Sequence, residues 1–329
     1  VGASSEETKS IYVRFGMEAF DSIQTNFWKK SSESDLAQLY QLSLAKAAST
    51  TIDKIPLSAQ TREGTAKMLF LYLASVPDEK RKEMTLNTLT VALYNLPPVG
   101  RNGVLSMQAQ TALRDTVSNI DKSKDLYKDI GVEKGTTTEV VDKAFQEKKA
   151  VLVKQDTSEA KKELAQVTYA HQVLTKADSK SFYDQSQIEP TVFTKIIEGK
   201  TLYVNLTKIA PTTLREFGIA VLQASTTPNL DSMIIDMRGN VGGALDFAQY
   251  FLGLFIGHNQ FAYDLFHQDV YTTQRTVLSK LPELMRYKEI AVLTNGMTQS
   301  TAEVVTAAFK RFKLGVTIGV TTRGWGTVE

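Results

Sequence analysis

The sequence predicts a multidomain α + α/β protein: an all-helical N-terminal region over residues 1–120, a compact helical unit over 121–188 and an α/β core over 189–329. Three observations carry this. Up to about residue 180, apolar residues recur at helical spacing. Near Phe193 the period changes to short β-branched runs that alternate with helical stretches. Glycine-rich turns, at 239–243 and 324–326, follow two of those runs.

In the first region, Ile11, Phe15, Ala19, Ile23 and Phe27 read as one face of a first helix. Ser34-Asp-Leu opens a second, with Leu36, Leu39, Tyr40 and Leu44 inward. Further helices are expected near 60–75, 78–93 and 107–119, with a loop from Leu96 through Pro97-Pro98. The aromatic residues here read as core rather than as a ligand box. In residues 122–185, Thr136 and Glu139 have capping-box spacing before a helix carrying Val140, Ala144 and Val151. A charged loop leads to a helix with Leu164, Val167, Ala170, Val173 and Leu174.

The core reads as strands near 200–206, 232–236, 290–293 and 316–320, with helices over 212–224, 244–256 and one ending near Lys313. Ser300 and Glu303 again have capping-box spacing. Alone, that pattern is a helix start and nothing more. Its place after a strand is also where α/β sheets hold ligands, and the free N–H groups of a helix start can stabilise an oxyanion. The Gly239–Gly243 turn could likewise present bare N–H groups.

Composition excludes several classes. A net charge of +2 over 329 residues, without a basic cluster carrying aromatics, argues against nucleic acid. With no cysteine there is neither disulfide nor thiolate metal site. His171, His258 and His267 lack metal-ligand spacing, so no metal or cofactor is expected. No apolar run is long enough for a membrane-spanning helix. No signal segment is read, and the start at Val1 suggests residues upstream.

Taken together, "IIDMRGNVGGALDFAQYFLGLFIG", "IAVLTNGMTQSTAEVVTAAFKRF" and "VTIGVTTRGWGTVE" resemble the core of the tail-specific, or C-terminal-processing, serine peptidases over about residues 202–329. The resemblance implies a crotonase-like core, an extracytoplasmic location and unfolded or C-terminal protein tails as partners. It puts Ser300 at the nucleophile and the backbone N–H of Thr301 and of Gly242 or Gly243 at the oxyanion. The family's general-base lysine falls on Trp325, and the glutamine four positions later on Glu329. An indole N–H donates and cannot accept the serine proton, so the usual Ser–Lys pair is missing. Of the histidines, His258 and His267 are the imidazoles nearest the core in sequence. "FGMEAFDSIQTNFW" loosely resembles the helix that precedes the core in that family.

Residues 122–185 resemble a J domain of the DnaJ type through "LYKDIGVEKGTTTEVVDKAF" and "SKSFYDQ". The family's His-Pro-Asp is replaced by Val153, Lys154 and Gln155, so a DnaK-type chaperone partner is not expected and a spacer is. The unit occupies the place of the peptidases' PDZ module. Two readings stay open: a non-catalytic relative that binds or scaffolds peptides, and an active endopeptidase with Ser300 and an unrecognised base. Oligomeric state stays open as well.

Overall fold

The computed structural model describes residues 10–326. It forms two compact units: residues up to 109 together with 264–272, and 110–263 together with residues from 273 on.

The first unit is built on α1 (Ile11–Asn26), α2 (Glu33–Ala47), α3 (Arg62–Ala74) and α4 (Asp78–Tyr94). Helix α1 buries Val13, Gly16, Met17, Phe20 and Ile23. The face expected from sequence is wrong at its start: Ile11 is 61% and Phe15 40% exposed. Gly16 explains the choice. A Cβ there would stand 3.0 Å from Leu69 Cδ1, so its absence lets α3 close on that side. The Tyr40 hydroxyl donates to the Gly16 carbonyl (3.0 Å) while its ring meets Phe20 edge-on. The 264–272 segment is the tip of a hairpin. Phe266 packs its ring against Trp28, and Gln268 Nε2 donates to the Gln24, Thr25 and Phe27 carbonyls at the end of α1.

In the second unit, α5 (Met107–Val117), which starts just ahead of the unit boundary, is followed by α6 (Leu126–Ile130), α7 (Thr138–Leu152), α8 (Ser158–Leu174) and α9 (Ala177–Ser186). Helices α6 to α9 enclose a core of Leu126, Tyr127, Val141, Phe145, Val167, Val173, Leu174 and Tyr183, among others. The N-cap of α7 is Thr137, not Thr136, and no side chain caps it. A shift of one residue turns a helix by about 100°. The buried face is accordingly Val141, Phe145 and Leu152, and the expected Val140 and Val151 are exposed.

Among the described residues no strand precedes β1 (Val192–Ile197). It pairs antiparallel with β2 (Thr201–Leu206), and β2 runs parallel to β3 (Ser232–Asp236). After the separate hairpin of β4 (Phe261–His267) and β5 (Val270–Arg275), β6 (Glu289–Thr294) joins β3 and β7 (Val316–Gly319) joins β6, both parallel. The sheet order is β1-β2-β3-β6-β7. Helices α10 (Thr213–Ala224), α11 (Phe247–Ile256) and α12 (Thr301–Arg311) make the crossovers. They meet through Phe217, Phe251, Phe255 and Phe309, with Phe217–Phe251 and Phe255–Phe309 centroids both 4.8 Å apart. Four parallel strands place their carboxyl ends on one edge, so the loops after β2, β3, β6 and β7 collect there.

Candidate active site

The loop after β3 begins on a buried charge. Asp236, 3% exposed, accepts the Tyr203 hydroxyl (2.6 Å) and two guanidinium nitrogens of Arg238, the shorter at 2.6 Å. Burial pushes its carboxyl up, but Arg238, Tyr203 and the Arg238 amide outweigh that and hold it below the ordinary 3.8. A depressed carboxyl in the folded state contributes stability above its unfolded value, and that stability is lost as pH falls through the folded value. The melting temperature is therefore expected to drop steeply below about pH 4, and Asp236→Asn to flatten that drop; parallel curves for the two proteins would count against it.

Beyond Arg238 the chain turns at Gly239, Gly242 and Gly243, all at positive φ. Asn295, at the start of the loop after β6, stitches the two loops together: its Oδ1 accepts the Gly239 and Met297 N–H groups, each at 3.0 Å. Buried Thr298 donates to the Met237 carbonyl (2.8 Å), and the Gln299 N–H to the Asn240 carbonyl (3.0 Å). The loop after β7 joins through the Arg323 N–H on the Thr298 carbonyl (2.9 Å).

Ser300 stands at the N-cap of α12 with φ 57 and ψ −130, a conformation costly to a residue with a Cβ. Such strain recurs at nucleophile turns. Gly242 lies against it: a Cβ on Gly242 would stand 2.7 Å from Ser300 Cβ and 3.0 Å from the Thr301 nitrogen. Although the capping-box spacing is present, the Glu303 N–H donates to the Ser300 carbonyl (2.8 Å), and no side chain among the described residues hydrogen-bonds the Ser300 hydroxyl. Thr301 donates through Oγ1 to the Gly243 carbonyl (2.8 Å).

Glu303 does more than cap. Its Oε2 accepts the Ser300 N–H (2.8 Å) and the Trp325 N–H (2.9 Å), and its Oε1 the Gly324 N–H (2.6 Å). The loop bearing Trp325 is thus tied by one carboxylate to the backbone of Ser300. Burial pushes that carboxyl up; hydrogen bonds from Thr322, Gly324, Trp325 and Ser300 outweigh it and leave it below the ordinary 4.5. The Trp325 ring carries the Arg323 guanidinium 4.5 Å over its face. Reading the sequence missed this second job, because the bonds span 21 and 22 positions. A carboxylate three residues into a helix before a glycine-rich loop was the available signal.

The other candidates lie elsewhere. His258 Nδ1 is 2.7 Å from the Val277 carbonyl, and His171 pairs with Asp142. His267 closes β4, on the hairpin tip that belongs to the first unit. Glu329 lies outside the described residues. Among the described residues no cluster of metal-ligating side chains occurs, and no helix is long and apolar enough to cross a membrane.

A parallel sheet whose strand ends gather a strained serine, a helix start and a glycine turn defines an α/β acyl-binding site in shape. Residues 200–329 match peptidase family S41. Over 139 residues the chain is 27% identical to the carboxy-terminal processing protease CtpA of Bacillus subtilis, covering 42% of this chain and 29% of that protein. Two solved structures are similar over parts of the chain. The photosystem II D1 C-terminal processing protease shares 19% identity at a TM-score of 0.33, over 43% of this chain and 39% of that one. A lipoprotein from Streptococcus agalactiae shares 16% at 0.32, over 69% and 81%. The chain thus spans well under two thirds of the two proteases.

Proposed function

We propose that this protein binds polypeptide tails at the Ser300 site and hydrolyses them weakly or not at all. The observation that supports this most is Trp325. Its backbone N–H shares Glu303 Oε2 with the N–H of Ser300, so the residue aligned with the family's lysine sits on the same anchor as the serine and brings no proton acceptor. Positioned proton transfer typically contributes about a hundred- to ten-thousand-fold to rate, and hydrolysis without it is slow by that factor. Unfolded or C-terminal tails as ligands and an extracytoplasmic location belong to the same reading, drawn from the S41 match of residues 200–329.

The test is fluorescence anisotropy with labelled tail peptides, run beside a cleavage assay. Binding without turnover, unchanged in rate by Ser300→Ala, is expected. Robust cleavage that disappears with Ser300→Ala would overturn the reading in favour of an active endopeptidase. The strained backbone of Ser300 and its uncommitted hydroxyl favour that alternative.

The helical unit of α6 to α9 acts as a spacer in this reading. Val153 caps the end of α7, and Lys154 and Gln155 follow in a short turn. The whole chain is expected to leave the ATP turnover of a DnaK-type chaperone unchanged; stimulation above the chaperone's own rate sinks the spacer role.

A further inference from the structure

Asn240 is fully buried in the turn after β3. Its Nδ2 donates to the Leu206 carbonyl at the end of β2 and its Oδ1 accepts the Gly242 N–H, both at 2.8 Å. Only one orientation of the carboxamide satisfies both, because one neighbour accepts and the other donates. The Gly242 carbonyl is engaged too, by the Ile209 N–H (3.1 Å). Gly242 therefore has both polar groups committed and serves Ser300 by lacking a Cβ.

The next residue differs. The Gly243 carbonyl accepts Thr301 Oγ1, which brings Gly243 beside the first residue of α12. A Cβ on Gly243 would fall 1.8 Å from the Ile209 carbonyl oxygen, so only glycine fits there. Among the described residues neither the Gly243 N–H nor the Thr301 N–H donates a hydrogen bond.

We propose that Asn240 is a positioning residue that occupies the Gly242 N–H and leaves the N–H groups of Gly243 and Thr301 as the pair that receives the oxygen of a bound peptide carbonyl or of its tetrahedral adduct. The inference deepens the peptide-site reading and rests on it. A peptide boronic acid is the matching ligand. The Ser300 oxygen donates a lone pair to boron, one O–B bond forms, the hydroxyl proton leaves to water, and the anionic boronate oxygen seeks the donor pair. No other bond breaks and nothing is oxidised.

The test uses the full chain and a tail peptide in two forms, boronic acid and plain. Gly242-Gly243 is the only Gly-Gly pair in the sequence, so carbonyl-¹³C and amide-¹⁵N glycine labelling marks the Gly243 amide uniquely. On boronate binding the Gly243 amide is expected to move downfield while that of Gly242 stays. Asn240→Ala is expected to weaken the boronate at least tenfold, within the hundred- to thousand-fold rate cost of a lost oxyanion donor, and the plain peptide less than about twofold. A downfield shift at Gly242 instead of Gly243, or equal loss for both ligands, overturns the proposal. The labelling experiment stands even if Asn240→Ala fails to fold. Plain-peptide binding without a boronate adduct overturns this inference alone; failure of both ligands overturns the peptide-site reading and this inference with it.

Discussion

Trp325→Lys turns tail-peptide binding into tail-peptide cleavage, at a rate about a hundred- to ten-thousand-fold above that of the unaltered chain. The argument is positional. The loop is held at residues 324 and 325 by backbone N–H groups on Glu303, and neither bond uses the side chain at 325. A lysine placed there inherits the anchored backbone. It must be neutral to take the Ser300 proton, so turnover should climb toward alkaline pH, from a starting amine value near 10.4 lowered by whatever desolvation the site imposes. Glu303 opposes this by favouring the ammonium, which makes the alkaline limb the diagnostic part of the profile. Ser300→Ala on top of Trp325→Lys returns the rate to background. A Trp325→Lys protein that binds the peptide yet cleaves no faster than its parent refutes the assignment of position 325.

Gly242→Ala abolishes boronate binding at Ser300 and lowers the melting temperature. The added methyl carbon would stand 2.7 Å from Ser300 Cβ and 2.8 Å from the Gln299 carbonyl oxygen, at φ 83. Part of what it meets is backbone, so the helix start must move. Left-handed strain and overpacking each cost about 1–3 kcal/mol. In a unit of this size every kcal/mol lowers the melting temperature by roughly 2–4 °C. Gly239→Ala is the control: positive φ again, but with nothing within 4 Å of the new carbon, it should share the backbone strain and keep the boronate site. Equal loss of boronate binding in the two variants would show that strain, not contact with Ser300, is at work.

Much of the core was legible because its strands are buried and β-branched. Ser232–Asp236 reads directly from the sequence, and Val316 onward nearly so. The unit's antiparallel β1 was not read: Val192–Ile197 has two exposed positions in a row and no alternation. The β4–β5 hairpin was missed for a related reason. Strand β5 buries nothing fully, and the turn puts Gln268 and Asp269 at positive φ, where Asn-Gly is the recognisable signal. Helix faces slipped wherever apolar residues flanked the true stripe, as Ile11 and Phe15 do beside Val13 and Met17. At the site, Ser300 and the glycine turn could be named from spacing and resemblance. The division of labour between Gly242 and Gly243 could not, since it is set by the Asn240 carboxamide reaching back to Leu206. Ties of that length leave no periodic trace.

The chain's route through its two units limits how it can be cut. Residues 264–272 leave the second unit, count with the first, and return. No single peptide-bond cleavage, near 109 or anywhere else, therefore releases either unit entire. A protease that nicks the 109–110 region leaves the α1 carbonyls of Gln24 and Phe27 still bonded to Gln268, a residue on the other fragment. The two pieces should co-purify under native conditions and part only in denaturant. A version trimmed to begin at residue 110 would carry a hairpin tip whose Phe266 had lost the ring of Trp28.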